Sequence, residues 1–309
     1  MVPMSKPLVP QTALDQYMPI TTMGKGKDGT VFLALPRKGS SSVSAADPRA
    51  SLVALKVVAP DQRGTVSLRL LERIKQLPAP ENSVIPPLVR VRDFHQGQAW
   101  YVMDLVPGGT VQQLLSKYDG GVLPPFLIFH LFVEVCRAER FLFGHGLCHR
   151  DLKLGGNVIL RSDVAAEGLP AVTLVDYGDI YDYTPGRRYH VCEQMVGLLQ
   201  TAMGISDRGS PGGEWRTAAS EDDVTLADKF FAYVDTWGDI EGGRVEEDAA
   251  LDVVWEKWGG VAERLRKSLR SEAAVTQLET VLCTPLMEDQ ELKESVDKGG
   301  MKVEVSRFE

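Results

Sequence analysis

The stretch "GLCHRDLKLGGNVIL", Gly146 to Leu160, gathers His149, Arg150, Asp151, Lys153 and Asn157 into nine residues and closes on an apolar run that reads as a strand. A second group lies far upstream. There "GKGKDGTV" spaces Gly24, Gly26 and Gly29 between two β-type runs, and missing Cβ atoms let backbone N–H groups approach phosphate oxygens. The same spacing also suits a hairpin turn that needs positive φ. A dinucleotide fingerprint would need a helix directly after the glycines, whereas Val31 and Phe32 continue a strand. Lys56, inside "VALKVV", follows. A Lys among apolar strand residues commonly snorkels from a sheet edge, yet after a glycine hairpin it also stands where it can reach phosphates.

These residues need elements to hold them. "ITTMGKGKDGTVFLAL" and "SLVALKVVAP" read as strands, separated by "PRKGSSSVSAADPRA", a surface insert with no periodic apolar face. "GTVSLRLLERIKQL" places Val66, Leu70, Leu71, Ile74 and Leu77 at helical spacing and stops at the prolines 78 and 80. "LVRVRDFH" and "AWYVMDLV" alternate like a hairpin, and Pro107 to Gly109 reads as a turn. From there the chain turns helical. "PPFLIFHLFVEVCRAERFLFGHG" is apolar almost all round, as expected of a helix at the centre of a second lobe.

Composition fits this layout. The 309 residues are 44% hydrophobic and 25% charged, enough for one large domain or two fused lobes. No apolar run could span a bilayer and the N-terminus lacks a secretory layout, so a cytoplasmic or nuclear location is expected. Cys136, Cys148, Cys192 and Cys283 form no CxxC pair and read as reduced thiols. With a net charge of -8 and no basic cluster, nucleic acid is not an expected partner.

Taken in order, "GKGKDGTV", "VALK", "HRDLKLGGN" and "DYG" resemble the eukaryotic protein kinase superfamily over almost the whole chain. The resemblance implies an α+β, bilobal fold: a small antiparallel-sheet N-lobe over residues 1–106 and a larger, mostly helical C-lobe over 107–309. It implies ATP and Mg²⁺ as cofactors. Gly24, Gly26 and Gly29 would cover the phosphates, and Lys56 would pair with the α- and β-phosphates. Val31, Ala54 and Met103 would line the adenine pocket, with the backbone of Asp104 and Val106 at the adenine edge. Asp151 would accept or orient the acceptor's proton, Lys153 would neutralise the transferred phosphoryl, and Asn157 and Asp176 would hold the metal. The implied activity is phosphotransfer to a Ser/Thr hydroxyl of a protein substrate, or to a small-molecule hydroxyl. A pseudokinase acting as a nucleotide-binding scaffold for a partner protein is the alternative, and transfer of another part of ATP is a third reading.

The chain also departs from the family pattern. Ser67 stands where the helical Glu partner of the strand Lys is usual, and Asp151 to Asn157 is six steps, one more than usual, with "LGG" as the enlarged part. The segment after Asp176 shows no Ala-Pro-Glu anchor, and its best match is "VCE", ending at Glu193. Asp222 or Asp223 is the expected opening Asp of the buried helix, in preference to the helix "HVCEQMVGLLQTAMG", and "QLETVLCTPL" is the expected late helix. Tyr181, Tyr183 and Thr184 lie where activating phosphorylation would occur, although packing alone also explains such tyrosines. Thr110 stands where kinases that prefer upstream Arg carry a Glu.

Overall fold

The computed structural model describes residues 8–37, 49–62, 68–78, 88–97, 99–152, 154–166, 168–184, 188–204, 215–237, 251–282, 287–301 and 304–306. They group into two compact units. The first contains Met1–Pro78, Val89–Val106 and Pro285–Glu309, and the second Ala79–Leu88 and Pro107–Thr284.

In the first unit, β1 (Leu8–Pro10) leads through α1 (Gln11–Gln16) into β2 (Tyr17–Gly26), β3 (Gly29–Pro36), β4 (Val53–Val58), α2 (Leu68–Lys75), β5 (Val91–Phe94) and β6 (Trp100–Asp104). The five strands from β2 to β6 make an antiparallel sheet in the order β2-β3-β4-β6-β5. Period-2 alternation divides its residues between two faces. Phe32, Ala34, Val53, Leu55, Val57, Trp100 and Val102 pack with Val9 and Ala13 on one face. Lys56 alternates with Leu55 and Val57, and Ala54 pairs across from Leu33, so both belong to the opposite face. The expected amphipathic helix is α2, which buries Leu70, Leu71 and Ile74 and ends before Pro78. Val66, Ser67 and most of the predicted insert lie outside the described residues.

The second unit contains β7 (Gly108–Thr110), α3 (Val111–Leu115), α4 (Pro125–Gly144), β8 (Leu147–His149), β9 (Val158–Ala166), β10 (Leu169–Leu174), β11 (Ile180–Asp182), α5 (Arg188–Ala202), α6 (Trp215–Ala218), α7 (Glu221–Thr236), α8 (Leu251–Ser268) and α9 (Glu272–Leu282). The expected central helix is α4. Its Phe129 and Phe132 rings meet Phe230 of α7 at 5.0 and 5.2 Å between centroids, and fourteen of its twenty residues are buried. The turn expected at Pro107 to Gly109 is partly a strand, because Gly108–Thr110 pairs with β9. Gly108 takes φ 136°, and a Cβ there would collide with the Leu160 carbonyl, so glycine permits this pairing.

The chain then completes the first unit with α10 (Asp289–Asp297) and β12 (Glu304–Ser306). β12 pairs in parallel with β1, Leu8 opposite Glu304 and Pro10 opposite Ser306. Leu292 of α10 is buried against Ile20, Leu33, Leu35 and Leu52, on the sheet face that Lys56 shares. Met301 N donates to Pro19 O at 2.8 Å, and Arg49 binds Asp289 and donates to Met287 O at 2.5 Å. No helix among the described residues is long and apolar enough to cross a membrane. Cys136, Cys148 and Cys192 are buried free thiols, while Cys283 lies outside the described residues.

Candidate active site

In the first unit the glycine segment is the tip of the β2–β3 hairpin, with Gly24 opposite Val31 and Gly26 opposite Gly29. Only Gly29 is required by the fold here: its φ is 144°, and a Cβ would run into the Val57 carbonyl. A Cβ on Gly24 or Gly26 would meet nothing within 4 Å, and both residues are exposed. Protein packing thus does not account for the absence of side chains at these two positions.

Lys56 sits on β4 opposite Val31 on one side and Tyr101 on the other. It is 5% exposed, and its Nζ lies 6.0 Å from the Tyr101 ring centroid. Ala54 pairs with Met103, and both are buried, as is Val106 just beyond β6. The Asp104 side chain pairs with Arg92, and its N–H donates to Arg90 O at 3.0 Å.

In the second unit, Asp151 follows β8 and Asn157 precedes β9. The inserted residue is absorbed between them. Gly155 N donates to Leu152 O at 2.8 Å, and Gly155 takes φ 67° with its Cα against Val111, too close for a Cβ. Asn157 therefore still reaches Asp151, with Nδ2 donating at 2.9 Å to the Asp151 carbonyl and at 2.9 Å to its Oδ2. Asp176 has φ 74°, an uncommon value for a non-glycine residue, and its Oδ1 accepts from Gly178 N at 3.0 Å. Asn157 O accepts from Val175 N at 2.9 Å, which ties the start of β9 to the end of β10 beside Asp176. Lys153 lies outside the described residues.

The His149 ring holds this loop together. Asp151 N donates to its Nδ1 at 3.2 Å, so the proton sits on Nε2, which donates to Val175 O at 2.9 Å. Burial, foremost, pushes its pKa down, consistent with a neutral ring. Two more contacts come from helices. His149 N donates to Glu139 Oε2 of α4 at 3.2 Å, and Leu152 N donates to Gln194 Oε1 of α5 at 3.3 Å. The pattern of residue types did not single out either one. Glu139 was visible as an acid in a nearly continuous apolar helix, and Gln194 lay in the helix that ranked second.

One expectation is corrected here. Asp223 opens α7, where its N–H is capped by Ser220, but its carboxylate pairs with Arg264 at 2.7 Å; α5 supplies the helix contact to the loop. Glu193, the best match to the Ala-Pro-Glu anchor, lies within α5, exposed, 3.4 Å from His190. Tyr181 and Tyr183 are packed, the first under the Arg150 guanidinium at 4.9 Å and the second stacked on Phe143 at 4.3 Å. Thr110 caps α3 by accepting from Gln113 N at 3.1 Å.

Asp176 and the Asn157 amide offer oxygen donors suited to a hard cation, and Mg²⁺ commonly takes one or two protein ligands with the rest from water and phosphate. Among the described residues there is no group of three or more His, Cys, Asp or Glu that could hold a metal ion by itself.

The family model for protein tyrosine and serine/threonine kinases matches residues 18–188, and the chain belongs to that family. Serine/threonine-protein kinase UCN of Arabidopsis thaliana is 30% identical over 171 residues, covering 53% of this chain and 38% of that protein. Serine/threonine-protein kinase fray1 of Dictyostelium discoideum is 28% identical over 169 residues, covering 53% and 26%. The chain thus spans well under half the length of these relatives. The PknI kinase domain of Mycobacterium tuberculosis aligns with a TM-score of 0.47 at 19% identity, over 82% of this chain and 96% of that one.

Proposed function

We propose that the protein is an ATP- and Mg²⁺-dependent phosphotransferase of serine/threonine kinase type. The observation that carries this reading is the joining of Asp151 and Asn157 by two 2.9 Å hydrogen bonds across a loop enlarged by one residue. Folding has compensated for the insertion and kept a carboxylate next to an amide oxygen donor. In this reading Gly24, Gly26 and Gly29 cover the phosphates, Lys56 pairs with them, and Val31, Ala54, Met103, Asp104 and Val106 receive the adenine. Asp151 orients the acceptor hydroxyl and takes its proton, while Lys153 neutralises the moving phosphoryl. Asn157 and Asp176 would hold Mg²⁺, whose chemistry when bound is to neutralise charge on the phosphate oxygens.

One observation favours a second reading, a nucleotide-binding scaffold. Ser67 stands where the helical Glu partner of Lys56 is usual, a departure that bears on turnover more than on nucleotide binding. A protein substrate, a small hydroxyl compound and a partner protein are therefore the three classes to offer.

The deciding experiment is transfer of labelled phosphate from ATP to generic protein substrates, to the chain itself and to small hydroxyl compounds. Wild type should be active, and Asp151→Asn should bind MgATP as wild type does while losing several orders of magnitude in turnover. Transfer by neither protein, with ATP bound to both, would establish the scaffold.

A further inference from the structure

Glu139 is a carboxyl with no exposed surface, in the middle of α4 among Cys136, Ala138 and Leu142. Its Oε2 accepts from His149 N at 3.2 Å, and its Oε1 is buried with no hydrogen-bond partner. An apolar residue would fill the same helix position without that burden, so the carboxyl needs a reason. The contact on Oε2 suggests one. His149 N is the amide at the end of β8, and the ring of the same residue receives Asp151 N and donates to Val175 O. A continuous path of hydrogen bonds therefore runs from α4 through His149 to Asp151, and from Asp151 to Asn157.

We propose that Glu139 is a positioning residue for the loop that carries Asp151: its carboxyl fixes the His149 main chain, and the His149 ring in turn fixes Asp151. Its consequence for turnover rests on the phosphotransfer reading above, whereas its consequence for the loop does not.

The surroundings favour the neutral acid. Burial raises the Glu139 pKa to about 8, against the lesser, lowering effect of the His149 N–H. The titratable groups beside it are Cys136 of α4 and Cys192 of α5, and those thiols in turn feel Asp252 of α8, which Arg140 of α4 pairs at 3.3 Å. The two thiols are pushed up by burial, Cys192 to about 12, and so bring no charge at neutral pH. A folded pKa above the usual carboxylate value means that the neutral form supports the fold at low pH. That support is lost as pH rises through about 8.

The test compares the full-length wild type with Glu139→Leu and Glu139→Gln by amide hydrogen exchange. The amide of Gln keeps an acceptor for His149 N but cannot ionise. Glu139→Leu should lower the protection of the His149 and Asp151 amides about tenfold or more, beyond any uniform change across α4 and β8. Glu139→Gln should restore protection to within about threefold. Protection at these two amides should fall in wild type as pH rises through about 8 and stay level in Glu139→Gln. In the phosphotransfer assay, Glu139→Leu should lower kcat about tenfold with KM for ATP little changed, and Glu139→Gln should recover it. Exchange that speeds up uniformly in Glu139→Leu, or fails to recover in Glu139→Gln, overturns the proposal. An inactive wild type with the expected exchange pattern would remove the phosphotransfer reading and leave the positioning role standing.

Discussion

Asn157 Nδ2 lies 2.9 Å from both the carbonyl oxygen and the Oδ2 of Asp151, six residues earlier. One side chain thus closes the loop and restrains the Asp151 carboxylate. The Asn157 amide nitrogen is spent on Asp151; in the proposed function its oxygen would face the cation.

This pairing predicts losses of different kinds for two substitutions. Asn157→Ala removes the restraint and a metal ligand, and turnover should fall about a hundredfold, the scale on which a misplaced reacting group costs rate. Asn157→Asp keeps an oxygen ligand but sets a second carboxylate against Asp151, so one of the two should hold a proton at neutral pH. Its activity should be lowest near neutral pH without excess Mg²⁺ and should recover as Mg²⁺ is raised. A pH–rate profile at two Mg²⁺ concentrations measures this, and indifference to Mg²⁺ would exclude the metal role.

The glycines separate ligand binding from folding. Gly24→Ala adds a Cβ into open space, so stability to urea should change by no more than about 0.5 kcal/mol. The rise in melting temperature caused by MgATP should nevertheless shrink, as it should in Lys56→Ala, because a ligand stabilises only through its affinity for the folded state. Asp176→Asn should reduce the Mg²⁺-dependent part of the rise and spare the response to adenosine. An undiminished MgATP response in Gly24→Ala and Lys56→Ala would sink the assignment of the phosphate site.

The C-terminal segment should behave as part of the sheet unit. Leu292→Ala deletes a side chain that is 4% exposed and packs on Ile20, Leu33, Leu35 and Leu52, at an expected cost of about 2–5 kcal/mol. Urea denaturation followed by Trp fluorescence reports it through Trp100, which packs on the opposite face of the same sheet. If Leu292→Ala matches wild type, α10 does not belong to the core of this unit.

Acid should weaken the second unit through His130. Its Nε2 lies 2.6 Å from Pro170 O and its Nδ1 lies 3.3 Å from Arg266 Nη1, an arrangement that suits a neutral ring. Burial is the main cause of its lowered pKa. A depressed folded pKa contributes stability present above the ordinary value of 6.5 and lost as pH falls below it. The melting temperature should therefore decline between pH 6.5 and 5, and His130→Asn, which cannot ionise, should be less stable at pH 7 and flatter across that range. A His130→Asn profile parallel to wild type would show that other groups govern the acid limb.

Much of the architecture was legible because it is encoded between near neighbours. Alternation set β3, β4 and the β5–β6 pair, the glycine spacing set the hairpin tip, and the apolar run from Pro125 set α4. Each of these depends on backbone geometry a few residues long. The polar loop was legible too, since its residues sit side by side in the chain. What only the tertiary structure decided involves partners far apart in sequence. Glu139 meets His149 because α4 folds back beside β8, and Gln194 meets Leu152 from forty-two residues away. β12 pairs with β1, and Leu292 enters the core beside Ile20, across nearly the whole chain. A lone acid in an apolar helix, or a short strand near a chain end, has the same local pattern whatever it later touches. Burial and long-range hydrogen bonding select the partner, and neither has a sequence period.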